Sequence, residues 1–315
     1  MKRKRSRISY IIDFLKSAPT VLKYKLFRIK PKTDQIGEIK QITMQKSSGL
    51  IFDALKTNQP FAAIRFGAVE LSCLNNFEKI RLGFATSFKE SVVVSMKKNA
   101  GFFPTSQDNL SYYSKYMFNH LPEADILGIS GIHMEHYFYR NFAYNAQPVQ
   151  NWALDPLLGQ WSHLLKGRKV LVISPFADQI EEQYKKRERL FPNNPGILPQ
   201  FELITIKAVQ TIADQDDSRF GNWFEALDYM KVEILKHDFD VALIGAGAYG
   251  TPLCLYVKSL NKQAIQTGGA TQLLFGIIGK RWEQREYVKK HINKDWIRPK
   301  DKPTGYHTVE KGCYW

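Results

Sequence analysis

From Gln45 onward, short apolar runs alternate with stretches whose apolar residues recur every three or four positions, the pattern of layered strands and helices. Segments 61–67 (FAAIRFG), 124–130 (ADILGIS), 169–175 (KVLVISP), 201–208 (FELITIKA), 240–245 (DVALIG) and 263–269 (QAIQTGG) read as strands. Segments 47–59, 87–99, 106–121, 177–190, 221–237 and 251–261 read as helices. A tryptophan- and proline-containing stretch, 148–166, runs to the turn Lys166-Gly167, and a boundary between two α/β halves, 46–166 and 167–315, is placed there. The βαβ order favours parallel pairing with crossover connections. The expected fold is α/β: a Rossmann-like, mostly parallel sheet flanked by helices.

Ahead of this body lies a segment of different character. Residues 1–45 form a basic arm in which Ile8, Ile11, Ile12, Leu15, Leu22, Leu26 and Ile29 are spaced mostly by three or four, with Lys and Arg between them. Pro19 divides it into two short amphipathic helices. Asp13 and Lys16 interrupt the apolar stretch, and no small-residue cleavage site follows, which argues against a signal peptide.

Composition changes the picture mainly through charge. The 315 residues are 44% hydrophobic and 24% charged, ordinary globular values that exclude collagen, coiled coil and disorder. No apolar run reaches a membrane-spanning length. The three cysteines, Cys73, Cys254 and Cys313, carry no metal or redox spacing and fit a reducing compartment. The formal charge is +15, but residues 1–32 hold eleven Lys/Arg against Asp13 alone, a net +10, leaving +5 for the other 283 residues. The arm is therefore expected to meet an anionic membrane surface. The other readings are a solvated arm, a helix packed on the body, or nucleic-acid binding. The last lacks a known binding motif or a stacking aromatic pattern.

Four segments carry candidate chemistry. Gly245-Ala246-Gly247-Ala248-Tyr249-Gly250 follows a strand and opens a helix, the context in which GxGxxG lets backbone approach a phosphate. The alternative is a purely structural tight turn. A nicotinamide or S-adenosylmethionine site would add an acid after the next strand, yet no Asp or Glu occurs between Val241 and Trp282. Arg65-Phe66-Gly67-Ala68-Val69-Glu70 closes the first body strand. There Arg65 can grip phosphate, and Glu70 can bind a metal or take a proton; a solvated turn is the alternative. Ser174-Pro175-Phe176-Ala177-Asp178 ends another strand, with Asp178 either functional or a first-turn acid suited to the helix dipole. In 268–282, Lys280 and Arg281 face a diphosphate or cap a helix. His133-Met134-Glu135-His136 is neither HExxH nor HxxEH, so zinc is disfavoured.

Taken together, IRFGAVEL (64–71), 170–191, DVALIGAGAYGTPLCLYVKSL (240–260) and GGATQLLFGIIGKRW (268–282) resemble the GT-D type glycosyltransferases of bacterial surface-glycan biosynthesis, over roughly 46–283. The resemblance implies a Rossmann-like sheet, a nucleotide-diphosphate sugar donor, and a glycan or lipid-linked acceptor. The first motif of that family reads R-F-G-D-G-E, and its two acids are associated with a divalent cation, manganese or magnesium. Arg65, Gly67 and Glu70 match; Ala68 and Val69 depart, which removes one carboxylate. Lys280 and Arg281 are then the candidates to replace the metal's charge, or Asp178 to supply the second oxygen ligand. Glu70 or Asp178 is the candidate to accept the acceptor's proton. The donor-binding set is Arg65, Gly67, Gly245, Gly247, Gly250, Lys280 and Arg281. The expectation is a cytoplasmic glycosyltransferase, peripheral on the inner membrane face, with no nucleic-acid partner. Its rivals are a non-catalytic nucleotide-binding or glycan-assembly scaffold and an NAD(P)-dependent oxidoreductase.

Overall fold

In the computed structural model, residues 5–315 are described except 28, 30, 37, 133, 214 and 216. Lys2, Arg3, Lys4, Arg28 and Lys30 of the basic arm, and His133, thus lie outside the described residues.

A two-residue antiparallel pair, β1 (Gln35–Ile36) and β2 (Ile39–Lys40), links the arm to the body. The body is built on β3 (Phe61–Arg65), β4 (Ile126–Ile129), β5 (Gln147–Gln150), β6 (Lys169–Ser174), β7 (Glu202–Lys207), β8 (Val241–Ile244) and β9 (Gln263–Ile265). These seven form one all-parallel sheet in the order β5-β4-β3-β9-β8-β6-β7. The central strands β3, β4, β6 and β8 read as nearly unbroken apolar runs because both faces are covered. Alternation still sorts their side chains. Ala62, Ile64, Ile173 and Ile244 join the cluster under one set of helices; Phe61, Ala63, Val172 and Leu243 join the other.

The halves on either side of Lys166-Gly167 share this sheet. β9 pairs with β3 (Phe61↔Gln263) on one side and with β8 (Val241↔Gln263) on the other. β5 was not anticipated. Its sequence, QPVQ, contains Pro148, which a ladder tolerates at an edge, and β5 is an edge strand.

A crevice opens where neighbouring connections leave for opposite faces. After β3 the chain enters the helix Ala68–Leu82, whose Leu71 and Leu74 pack on the first face. After β9 it enters Thr271–Leu274, whose Leu273 and Leu274 pack on the second. The carboxyl ends of β3 and β9 lie side by side between these diverging paths.

Candidate functional site

A cavity of about 330 Å³ occupies that crevice. It gathers chain from six strand ends: Arg65 to Glu70 after β3, Ser130 after β4, Ser174 of β6, Ala208 after β7, Gly245 to Tyr249 after β8, and Gln266 after β9. A second cavity of about 290 Å³ adjoins it, and the two share Arg65, Gly269 and Arg281.

The glycines of the β8 turn have different duties. A Cβ on Gly245 would collide with Thr271 Oγ1 and with Gly268 O, and one on Gly250 would meet Gln266 Nε2 at 2.6 Å. Both are required by packing between the β8 and β9 turns. Gly247, at φ +54°, has nothing within 4 Å of its would-be Cβ and lines the cavity, so a ligand can approach its backbone. The tight-turn reading accounts for Gly245 and Gly250; the phosphate reading rests on Gly247 and the ten-residue helix Gly250–Ser259 that follows.

Arg65 is the wall between the cavities. Its backbone N–H donates to Gln266 Oε1 (3.0 Å), which also accepts from Thr251 Oγ1 (2.9 Å). Its guanidinium lies over Gly268, where a Cβ would strike it. Burial lowers the pKa of this half-buried group, Tyr314 opposes that, and the positive charge of Arg281 lowers it further. Glu70 and Asp155 favour the charged form through space. Arg281 is positioned by the chain's last residues. Its N–H donates to Cys313 O (2.8 Å), and its Nη1 donates to Tyr314 Oη (3.1 Å) with the guanidinium over that ring. Two guanidiniums facing the same space favour an anionic occupant.

The remaining sequence-chosen residues divide. Glu70 lines the first cavity as the third residue of the helix Ala68–Leu82, and its carboxylate folds back over the N-cap Gly67, filling the space a Cβ there would need. Gly67 is therefore obligatory for the position Glu70 holds. Lys280 is exposed and lines neither cavity; its backbone N–H donates to Trp315 O (3.1 Å). Asp178 also lies outside both cavities. It is 66% exposed and paired with Lys207 Nζ at 2.5 Å, the first-turn acid that the helix dipole favours. The structure thus brings together Arg65, Gly67, Glu70, Gly245, Gly247 and Arg281, and leaves Gly250, Lys280 and Asp178 outside the lining of either cavity.

Among the described residues the cleft does not gather a metal-binding cluster. Ala68 offers no ligand beside Glu70, and Asp178 lies outside both cavities. Among the described residues no group of three or more His, Cys, Asp or Glu is placed to hold a metal ion. Glu135 is committed elsewhere: fully buried, its carboxylate accepts from the N–H groups of Ser130 (3.0 Å), Gly131 (2.9 Å) and Ile132 (3.3 Å) and pins the loop after β4. Burial pushes its carboxyl up to about 7 against those bonds. His136 lies beside it on the same helix, with its pKa lowered by burial.

Asp155 emerges only in three dimensions. It lines the second cavity, nearly inaccessible, as the N-cap of the short helix Pro156–Gly159. Oδ1 accepts from Leu157 N–H (2.8 Å), and Oδ2 accepts from Tyr287 Oη (3.0 Å). Burial pushes its carboxyl up to about 6, while those bonds and Arg65 oppose the rise. The Asp-Pro pair was a legible cap signal, but nothing local pointed to Tyr287. Two further lining residues, Tyr113 and Gln272, each hold a buried side-chain oxygen with no hydrogen-bond partner among the described residues. Such orphaned groups are costly unless an occupant supplies the partner.

Fold and cleft define a Rossmann-like α/β protein with a ligand crevice at the carboxyl edge of its sheet. No family profile, no curated protein and no solved structure matches the chain. The nicotinamide reading finds no support after β9, where Gln266 is committed to Arg65 and Thr251.

Proposed function

We propose that the protein is a glycosyltransferase that takes a nucleotide-diphosphate sugar in the first cavity and a hydroxyl-bearing glycan acceptor, free or lipid-linked, in the second. The observation that carries this reading is the pair of adjoining cavities separated by Arg65 and Arg281. A diphosphate at that wall accepts hydrogen bonds from both guanidiniums, and the Gly247 turn approaches its other side. The nucleoside lies deeper in the first cavity, within reach of the unpartnered Tyr113 and Gln272 oxygens.

In the transfer step the bond between the sugar's anomeric carbon and the diphosphate oxygen breaks, and a bond from that carbon to the acceptor oxygen forms. The acceptor proton passes to Asp155, whose carboxylate faces the second cavity and whose pKa suits a base near neutral pH. The electron pair leaves on the nucleoside diphosphate, where Arg65 and Arg281 hold the developing charge. Glu70 positions the N-terminus of the helix Ala68–Leu82 and is assigned no proton transfer.

The test is a thermal-shift panel of nucleoside diphosphates and their sugars, with and without manganese. At one hundred times Kd, linkage stabilises by about 2.7 kcal/mol, and Arg65→Ala should abolish the shift while leaving the unliganded fold intact. No shift with any common nucleotide at millimolar concentration would sink the proposal. A second reading is favoured by the missing acid at Ala68: a non-catalytic nucleotide-binding protein of glycan assembly. Donor binding with neither transfer nor donor hydrolysis would support it.

A further inference from the structure

The arm has two faces, and only one is used by the body. In the helix Arg7–Lys16, Tyr10 stacks on Phe142 (5.9 Å between centroids), and Phe14 stacks on Phe84 and meets the edge of Tyr137. Arg81 stands 4.3 Å over the Tyr10 ring, while Arg5 bonds Asn141 and pairs with Asp13 at 2.8 Å. The helix is therefore clamped on one side.

The other side carries Ile8, Ile12 and Leu15 at spacings of four and three. Leu22 and Leu26, four apart in the helix Ala18–Phe27, are exposed as well. Each of these five is roughly half exposed or more, Ile8 at 69%. Lys16 and Lys23 are exposed among them, whereas the Arg7 guanidinium lies over Gly83 of the body. Exposed aliphatic side chains grouped in this way mark an interaction site. Its chemistry is specific: aliphatic side chains flanked by cations, in a segment of net +10. Nucleic acid would leave the aliphatics uncovered, because its contacts are phosphate to cation and base to aromatic.

We propose that this face docks on an anionic lipid surface, burying Ile8, Ile12, Leu15, Leu22 and Leu26 among the headgroups while Lys16 and Lys23 meet lipid phosphates. No described helix is long and apolar enough to cross a membrane, so the contact is interfacial. The clamp through Tyr10 and Phe14 transmits the contact to the body and fixes its orientation. Downstream, Pro31 O lies 2.8 Å from where a Cβ on Gly131 would stand, and Thr33 O accepts from Gln150 Nε2 at 2.8 Å. Gly131 lies between Ser130 and Ile132, both of which line the first cavity. The lipid-facing arm therefore leads directly to the β4 rim of the cleft.

The experiment is co-sedimentation of the full chain with vesicles of phosphatidylcholine, alone or mixed with phosphatidylglycerol, at low and high salt. It uses no nucleotide, so its outcome is independent of the glycosyltransferase reading. Binding should require phosphatidylglycerol and weaken with salt. The variant Ile8→Ser/Ile12→Ser/Leu15→Ser should unfold at the wild-type temperature, because these side chains are exposed, yet lose at least about tenfold in partition. Equal binding to both vesicle types, or undiminished binding by the variant, would overturn the proposal. So would size-exclusion evidence that the wild type is a dimer which the variant dissolves, since the row would then be buried against a second copy.

Discussion

Asp155 shows how far a single residue's chemistry depends on its surroundings. In water its carboxyl would titrate near 3.8; in the fold burial pushes it up to about 6. That gap corresponds to roughly 3 kcal/mol of penalty on the ionised form. Because the folded state holds the proton more tightly, stability falls as pH rises from about 4 to about 6, and the full penalty persists above. Asp155→Asn keeps an oxygen for Leu157 N–H and removes the charge. The melting temperature of the variant relative to wild type should therefore climb across that window and level off. Glu135 imposes its own pH dependence on both proteins and cancels in the difference. If Asp155 is the base, the same variant should lose about 10² to 10⁴ in transfer rate while keeping the nucleotide-induced thermal shift. A relative melting temperature flat with pH would show that the carboxyl is not perturbed. Arg65, Gly67 and Gly247 were legible in the sequence because strand-end motifs are local. Asp155 was not, because its partner Tyr287 lies 132 positions away.

At the scale of elements, periodicity found those with one buried face and missed those without one. The helix Ala68–Leu82 buries Asn75, Asn76 and Glu78 alongside Leu71 and Leu74, so its apolar spacing is blurred and it was not anticipated. The reason is a polar network. Glu78, fully buried, accepts from Arg81 Nε and Nη2 (both 2.7 Å) and from Tyr137 Oη. The arm helix Arg7–Lys16 roofs this network through Tyr10 and Phe14. Water admitted to a buried ion pair weakens it, and the aromatic contacts are lost as well. Tyr10→Ala/Phe14→Ala should therefore cost about 1–3 kcal/mol of stability, read as a lowered denaturation midpoint. The exposed-face serine variant on the same helix should leave that midpoint unchanged. Equal effects from the two variants would mean that the helix has no preferred face toward the body. Its amphipathic character was evident in the sequence, but not which side it would turn inward.

For the whole molecule, alternating strands and helices were enough to predict a parallel α/β sheet but not its strand order. That order depends on pairings such as Phe61↔Gln263, some two hundred residues apart, for which no local pattern codes. Its consequence is cooperative. β9 enters last yet lies between β3 and β8, so neither 46–166 nor 167–315 can complete its hydrogen-bonding without the other. The two apolar clusters likewise divide by sheet face, each drawing residues from both halves. Unfolding should then be a single transition. Tryptophans report on both faces, Trp223 on one and Trp161, Trp282, Trp296 and Trp315 on the other. Denaturant melts followed by tryptophan fluorescence and by far-ultraviolet circular dichroism should coincide. Each half expressed alone should lack a cooperative melt. A half that unfolds cooperatively by itself, or two resolved transitions in the full chain, would mean that the sheet is two separable units. The cleft would then sit at a hinge, because Arg65 belongs to one half and Arg281 to the other. A single transition makes the wall between the cavities a rigid feature, its two guanidiniums held at a distance set by the central pairing of β3 with β9.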